Sequence, residues 1–290
     1  MKRRLQKRLG VSGSSGSDKR PPADFRGLLN DPVAALARAN GSPVIIDVPL
    51  SRCRTFQELG FLATPDSANP FVMTVQWAQK TGDNSYAGSP LEKYYATVQP
   101  TTGADKLGID NASLRTYPPL HVDAPWRNPP GEAVYQRRAR TVRREAQVYG
   151  KSLALSDGWR TYGPMTDSMG QLEFQRLMSV TRSIIEVGYD TLDPFNHINA
   201  WLLVADDGNW SVWIMDGLHR TCVLGALNFL EIPILIQGVN IINRADADDW
   251  PAVQQGALTA EEARQVFDRI FAGQQPDGIA AVWPPAQARS

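Results

Sequence analysis

Apolar residues recur with two different periods in the second half of the chain. Between residues 171 and 187 they return at helical spacing, which predicts an amphipathic helix. Residues 200–205 and 211–215 are apolar runs on either side of Asp206-Asp-Gly-Asn209, and such a turn sequence predicts a β-hairpin. The pattern therefore indicates a helix followed by two antiparallel strands.

After the hairpin the chain changes from strand to helix and back to strand. An apolar strand ends at Asp216 and Gly217, a helix begins near Leu218 and runs through apolar residues to 230, and a second strand starts at Ile232. The helix is apolar nearly all round, so it is predicted to be buried.

The turn between that strand and that helix has the features of an anion site. The free N–H groups of a first helical turn carry partial positive charge, and His219 and Arg220 add side-chain donors beside them. Gly217 has no Cβ, so the backbone can come close to the anion. The predicted ligand is a phosphate or a carboxylate. An Asp-Gly pair before an apolar helix is also common as a plain structural turn, and this alternative stays open.

Periodicity is weaker elsewhere. Residues 32–39 are predicted as a short helix, residues 43–48 as a strand and residues 64–128 as a long irregular region dotted with Pro, Gly and Asn. Five arginines between 137 and 144 indicate a basic helix, either a solvated face or a surface for a phosphorylated partner. The capping box Thr259-Ala-Glu-Glu262 predicts a helix to 271, with a frayed tail beyond 273.

Composition limits the function classes. The chain has 290 residues, 42% of them apolar, which is enough for one large domain or two small ones. Its 30 basic and 30 acidic residues cancel, so the whole molecule lacks the charge typical of nucleic-acid-binding proteins. The two distant cysteines fit a reducing cytoplasm, and no apolar run is long enough to predict a transmembrane segment. The basic N-terminus passes into a Ser/Gly-rich stretch, which predicts a flexible leader.

Several motifs surround the turn. Upstream are Gly163-Pro164 and residues 171–189; downstream are residues 240–244, Asp249-Trp-Pro251 and residues 263–273. Together with the Gly-Leu-His-Arg turn, they resemble the ParB/sulfiredoxin-like superfamily, whose members share a Gly-x-His-Arg or Gly-Glu-Arg-Arg turn that binds nucleotide phosphates at a helix N-terminus. The downstream part is similar to a branch whose genes sit among surface-polysaccharide genes.

The resemblance implies an α+β fold, a ParB/sulfiredoxin-like mixed sheet with helices, and an irregular N-terminal extension wrapped over it. The implied organisation is a basic flexible leader (1–23), an irregular region with few regular elements (24–150), a nucleotide-binding domain (151–273) and a flexible tail (274–290).

Departures from the superfamily pattern separate its activities. Sulfiredoxin-like reduction needs a thiolate between the Gly and the His of the turn, where this chain has Leu218. Neither Cys53 nor Cys222 fills that position, and Cys222 lies inside the apolar helix as a small hydrophobic residue. DNA-partitioning relatives carry Glu and Arg after the glycine and a helix-turn-helix module behind the domain, whereas only a short segment follows Ile236. What remains is nucleotide binding or phosphoryl transfer.

A kinase reading of the resemblance gives each candidate residue a role. The turn would hold ATP, Asp216 would hold Mg²⁺, and Glu173 would be the base, because the 171–187 helix of this fold lies near the turn. The candidate catalytic residues are Glu173, Asp216 and His219. The candidate cofactor-binding residues are Gly217, Leu218, His219, Arg220 and Thr221, and the candidate acceptor-binding residues are Arg160, Tyr162 and Arg176.

Each of these roles has a structural alternative. Asp216 can simply cap the helix, Glu173 can pair with Arg176 on the surface, and Arg160 can be a solvated loop residue. His121 and His197 are isolated in the sequence and are predicted to be non-catalytic.

Two functions from different classes therefore stay open. One is an ATP-dependent kinase that acts on a small molecule or sugar in surface-glycan metabolism; the other is a non-catalytic module that senses a nucleotide or sugar phosphate. Nuclease activity is disfavoured because no second cluster of carboxylates is present. The expected partners are a nucleotide, ATP or CTP, and a small-molecule or sugar acceptor in the cytoplasm, while nucleic acid is not expected. The oligomeric state stays open.

Overall fold

The computed structural model describes residues 21–189 and 197–283. Its strands are β1 (Ala23–Asp24), β2 (Val44–Pro49), β3 (Cys53–Thr55), β4 (Phe61–Leu62), β5 (Ile198–Val204), β6 (Trp210–Asp216) and β7 (Glu231–Asn243). They form one sheet in the order β1-β2-β7-β5-β6-β3-β4. β2 and β7, β5 and β6, and β3 and β4 pair antiparallel; β1 and β2, β3 and β6, and β5 and β7 pair parallel. The fold is therefore α+β with a mixed sheet, as the sequence predicted.

Helices connect and cover the strands. They are α1 (Pro32–Arg38), α2 (Pro70–Thr81), α3 (Pro90–Thr97), α4 (Gly103–Leu107), α5 (Glu132–Val148), α6 (Asp167–Val187), α7 (Leu218–Ala226), α8 (Pro251–Gln254), α9 (Ala260–Ala272) and α10 (Asp277–Val282). None of them, within the ranges described, is long and apolar enough to cross a membrane.

Two apolar clusters pack on the sheet. The larger cluster contains residues of β2, β5, β6 and β7 together with α2, α3, α6 and α7, and Ile214 is one of its members. The smaller cluster contains Trp213 and Leu203 with Trp126, Trp250 and Phe267. Because successive strand residues point to opposite faces, Trp213 and Ile214 place the two clusters on opposite sides of β6.

The prediction that residues 24–150 form an irregular extension with few regular elements is wrong. Residues 24–150 supply four helices longer than four residues after α1, and β2, β3 and β4 of this region lie in the same sheet as β5–β7. α5 contains the basic helix predicted from the arginines, whereas α2, α3 and α4 were not predicted and begin at local caps: Asn69 accepts hydrogen bonds from the N–H groups of Phe71 and Val72 at the start of α2, with Pro70 at the first helical position. α3 and α4, with eight and five residues, are too short to show much apolar periodicity, so the sequence pattern did not reveal them.

Two further boundaries also differ from the prediction. The chain beyond 273 contains α10, and Trp283 is buried and donates a hydrogen bond from Nε1 to the carbonyl of Ala68 at 2.7 Å. α7 ends at Ala226 and does not continue to 230, because Asn228 takes a left-handed backbone conformation with a φ of 62°.

The leader was predicted to extend to residue 23, but Ala23 lies in β1 and pairs with Val44. The rest of the leader prediction, for residues 1–20, and the tail prediction for residues 284–290 lie outside the described residues.

Candidate functional site

The turn between β6 and α7 has the form that the sequence predicted. β6 ends at Asp216, Gly217 precedes the helix, and α7 starts at Leu218. Gly217 has a φ of 88°, a left-handed conformation that is costly for other residues. A Cβ at this position would lie 2.9 Å from Cγ1 of Ile198. Both the backbone conformation and the neighbouring side chain therefore require glycine here.

The first turn of α7 is not capped by the residue before it. Gly217 occupies the capping position and makes no side-chain hydrogen bond to the N–H groups of the helix. The carboxylate of Asp216 accepts a hydrogen bond from the N–H of Gly217 at 2.8 Å. This contact stabilises the chain between β6 and α7 and does not cap the N–H groups of the helix. The partial positive charge of the nine-residue helix is thus directed at the space beyond Gly217.

Arg220 and Asp216 lie on the same turn. Nη2 of Arg220 is 3.8 Å from Oδ2 of Asp216, and the two side chains are 19% and 74% exposed. Asp216 therefore presents a carboxylate to solvent beside a guanidinium. Across the described ranges no group of three or more His, Cys, Asp or Glu side chains is placed to hold a metal ion. Mg²⁺ at Asp216 would need its other oxygen ligands from a phosphate and from water.

The two remaining predicted cradle residues can contribute their backbone but direct their side chains elsewhere. The Thr221 hydroxyl donates to the carbonyl of Gly217 at 3.0 Å, and the residue is buried. The Leu218 side chain packs against the larger cluster.

Glu173 and His219 meet in the interior. Nε2 of His219 is 3.1 Å from Oε2 of Glu173, and the other carboxylate oxygen accepts a hydrogen bond from Nη1 of Arg176 at 2.6 Å. The His219 ring also packs on Phe71, with 4.9 Å between ring centroids. Glu173 lies close to the first turn of α7, as the sequence predicted, but its side chain is only 4% exposed and does not face an open cleft. The structural alternative for Glu173, an ion pair with Arg176 on the surface, is correct in the partner, but the Glu173 carboxylate of this pair lies in the interior and not on the surface.

The protonation states of this pair follow from its surroundings. Burial by itself would raise the pKa of Glu173, but the Arg176 guanidinium and the hydrogen bond from His219 outweigh it and hold this pKa at about 2. Burial lowers the pKa of His219, and Glu173 opposes this only in part. Near pH 7 an ionised Glu173 therefore accepts the Nε2–H of a neutral His219.

The pair continues into a chain of alternating charges that ends near the surface. Arg176 also donates to Oε2 of Glu145 at 3.1 Å, and Arg160 donates to Oε1 of the same carboxylate at 2.9 Å. The structure thus joins four predicted site residues, Glu173, His219, Arg176 and Arg160, through a fifth, Glu145 of α5. Glu145 carries no sequence signal because it directly follows the arginine run, where an acidic residue suggests ordinary charge balance on a solvated helix.

Tyr162 does not belong to this chain of charges. It is buried against a second ionic cluster, with its ring 5.8 Å from Nζ of Lys106. In that cluster Oε2 of Glu58 lies 3.1 Å from Nζ of Lys106, and Oε1 of Glu58 lies 3.2 Å from Nη2 of Arg138. The same Nη2 lies 3.9 Å from Oδ1 of Asp123. Tyr162 therefore does not join Arg160 and Arg176 as an acceptor-binding residue in this conformation.

The space beside Glu173 is small. The cleft lined by Glu145, Arg160, Glu173 and Arg176 holds about 10 Å³, roughly the room for one water molecule. A nucleotide or a sugar does not fit there, so a ligand must approach the turn from the outer side of Gly217.

No family model, curated protein or solved structure matches this chain. Its membership of the ParB/sulfiredoxin-like superfamily therefore stays a prediction that depends on the motif residues.

The cysteines occupy positions that suit packing. Cys53 and Cys222 are both free and buried, and burial raises the pKa of the Cys53 thiol to about 12 and that of the Cys222 thiol further. A thiol that keeps its proton is a poor nucleophile. Of the two histidines predicted to be non-catalytic, His121 stacks on Tyr135, with 4.9 Å between centroids, and His197 is buried and directly precedes β5.

Proposed function

We propose that this chain is a phosphate-binding module of ParB/sulfiredoxin-like type, which holds a nucleotide or sugar phosphate at the start of α7 and senses it without transferring the phosphate. The observation that carries the proposal is the Gly217 cap, which leaves the first turn of α7 without a side-chain cap beside Arg220. A phosphate at this position would accept hydrogen bonds from the backbone and a charge-assisted bond from the guanidinium.

Binding without transfer is supported by the state of Glu173. Both of its carboxylate oxygens are engaged, one by Arg176 and one by His219, and its pKa is about 2. A carboxylate with so low a pKa has little affinity for the proton of an acceptor hydroxyl. Glu173 and His219 instead anchor α6 to the first turn of α7, so that the backbone donors are held in place before a ligand arrives.

A phosphotransferase is the second candidate, and one observation favours it. The exposed carboxylate of Asp216 lies beside Arg220, where it could ligate Mg²⁺ carried by ATP. An acceptor such as a sugar intermediate of surface-glycan assembly would then need a base other than Glu173 in its present contacts.

The binding proposal is tested by calorimetry with ATP, CTP and sugar phosphates, each with and without Mg²⁺. Arg220→Ala removes a charge-assisted hydrogen bond worth on the order of 1.5–3 kcal/mol, so affinity should fall about tenfold or more. Arg264→Ala is the matched control, because it removes an arginine paired with Asp248 on another part of the surface. If the wild type and Arg220→Ala bound these ligands with equal affinity, the binding proposal would be wrong.

Turnover separates the two candidates. Release of ADP from ATP in the presence of a sugar acceptor, abolished by Asp216→Asn, would favour the phosphotransferase. Saturable binding of the same nucleotides without product formation would favour the sensing module.

A further inference from the structure

The five arginines between 137 and 144 on α5 have two kinds of surroundings. Two of them are held by the fold: Nη2 of Arg137 lies 2.6 Å from Oδ2 of Asp123, and Arg138 is buried. The side chains of the other three are exposed and form no hydrogen bond or ion pair in the part of the chain that the structure describes: Arg140, Arg143 and Arg144. The function proposed for the start of α7 uses none of these three side chains.

The three exposed arginines form a compact group, the arginine triangle. Arg143 and Arg144 follow Arg140 at i+3 and i+4 of one helix, and residues at these spacings are neighbours on a helix surface, about 5–6 Å apart. The next residues along the same face in the two directions, Gln136 and Gln147, are exposed and uncharged. The positive charge on this face is therefore one local centre of three guanidinium groups and not a line of charges along α5.

No carboxylate of α5 balances the charge of the arginine triangle. The acidic residues of this helix are Glu132 and Glu145. Glu132 lies about two helical turns before Arg140, and Glu145 accepts hydrogen bonds from Arg160 and Arg176. Like charges at i, i+3 and i, i+4 repel each other and destabilise a helix. An anion bound among the three guanidinium groups would remove this repulsion.

The shape of the arginine triangle favours a single phosphate group over a polyanion. A phosphorylated side chain carries between about 1.5 and 2 negative charges and three acceptor oxygens, and guanidinium groups bind it through paired hydrogen bonds. A nucleic acid or an anionic membrane is bound through an extended track or plane of positive charge. The chain as a whole has equal numbers of basic and acidic residues, so such a surface is not supplied by its net charge.

Apolar surface lies beside the arginine triangle. Val148 is one helical turn beyond Arg144, and Val148 and Tyr149 are 53% and 49% exposed. A free phosphate ion would leave this surface in water, whereas a peptide with a phosphorylated side chain would cover it with an adjacent apolar residue. We propose that the exposed face of α5 binds a phosphorylated segment of a partner protein, with its phosphate at the arginine triangle and an apolar neighbour on Val148. The proposal is independent of phosphate binding at α7.

The test uses the full chain and two pools of fluorescent peptides with random residues around one fixed position. That position holds a mixture of phosphoserine, phosphothreonine and phosphotyrosine in the first pool and the unmodified residues in the second. Fluorescence anisotropy gives the apparent dissociation constant of each pool for the wild type, Arg140→Gln and Arg144→Gln. Arg38→Gln is the matched control, because it also removes an exposed arginine from a helix, but α1 contains no second arginine.

The phosphorylated pool should bind to the wild type and to Arg38→Gln alike. Arg140→Gln and Arg144→Gln should each weaken it about tenfold, the loss expected for a charge-assisted hydrogen bond, without a lower thermal midpoint. Sequencing of the retained peptides should show apolar residues beside the phosphate; polar residues there would contradict the contact with Val148.

Three results would overturn the proposal: neither pool binds, the two pools bind equally, or the phosphorylated pool binds equally to all four proteins. A single-stranded oligonucleotide and phosphatidylserine vesicles are measured in the same way. If one of these bound in place of the peptides and lost its binding in Arg140→Gln and Arg144→Gln, the surface would belong to nucleic acid or membrane, and the proposal would again be wrong.

Discussion

At the scale of single residues, the candidate site depends on which charges are neutralised by neighbours. Asp216 and Arg220 are close enough to attract each other but remain partly exposed, whereas Glu173 and Arg176 are buried and hydrogen-bonded. A buried pair loses much of its stabilising effect when one partner is removed, because the other charge remains unpaired. Glu173 is therefore better suited to holding His219 than to exchanging protons.

Lys106 gives a prediction at the same scale. Burial, reinforced by the Arg138 guanidinium, lowers the pKa of this amine to about 7, although Glu58 and Asp123 oppose the shift. In the unfolded chain the amine keeps its proton up to about pH 10.4. Between these values the unfolded state binds more protons, so the contribution of Lys106 to the free energy of unfolding rises with pH.

The measurement is the thermal midpoint of the wild type and of Lys106→Met at several pH values between about 7 and 9.5, the window that the lowered pKa opens. As the pH rises, the thermal midpoint of the wild type should increase relative to that of Lys106→Met. Taking the difference cancels the titration of the buried tyrosines and cysteines that both proteins share. A constant or shrinking difference would contradict the assigned charge state of Lys106.

Residue types at the turn were predictable from the sequence, and their contacts were not. Gly217, His219 and Arg220 stand out because an apolar helix rarely begins with such donors. Gly217 and Arg220 lie at the turn as predicted, but the side chain of His219, predicted to be a donor to the anion, is buried and pairs with Glu173. The partner of His219 could be guessed only from the helix of Glu173, and Glu145 carried no signal. Burial and long-range pairing depend on how helices pack, which sequence spacing does not specify.

At the scale of elements, strong periodicity was a reliable guide and local caps were undervalued. The hairpin of β5 and β6, the long helix α6 and the capped helix α9 were all predicted close to their observed bounds. α3 and α4 were missed, although Ser89-Pro90 and the Thr102–Asp105 capping box mark their starts. Each helix has too few residues to show an apolar face, so the cap was the only local sign.

The C-terminal helix α10 gives the second prediction. Trp283 follows it, lies in the larger cluster and packs its ring 5.2 Å from that of Tyr94. Trp283→Ala should lower the free energy of unfolding by about 3–5 kcal/mol, the usual cost of removing a large buried aromatic side chain. Denaturant unfolding measures this change.

The neighbouring substitution Val282→Ala is the matched control for Trp283→Ala. Val282 is half exposed, so its truncation should change the free energy of unfolding by no more than about 0.5 kcal/mol. If both variants unfolded at the same denaturant concentration, residues 277–283 would not be part of the core.

At the scale of the whole molecule, the sheet is built from both halves of the chain. β2 pairs with β7, and β3 pairs with β6, so strands from residues 23–62 and strands that begin at Ile198 or later form a single sheet. The sequence pattern predicted an extension and a separate domain, because apolar periodicity describes each element and not its partners. The pairing of distant strands is the main feature of the fold that periodicity does not predict.

A fragment of residues 151–273 should therefore not fold by itself. It lacks β1–β4, so β7 loses its antiparallel partner and the larger cluster loses Val44, Ile46 and Val48. Thermal unfolding followed by circular dichroism should show a cooperative transition for residues 21–283 and none for the fragment. A cooperative transition in the fragment would restore the two-part organisation that the sequence suggested.

The central position of β7 also determines when the sheet can form during synthesis. β2 leaves the ribosome first, but its partner begins only at Glu231, and the intervening chain takes roughly 10 to 40 s to translate at typical rates. During that interval β2 has only the two-residue strand β1 beside it, and its side towards β7 has no partner strand. The nascent chain must pass through a long-lived partly folded state, in which a chaperone that covers short apolar segments would raise the yield of native protein.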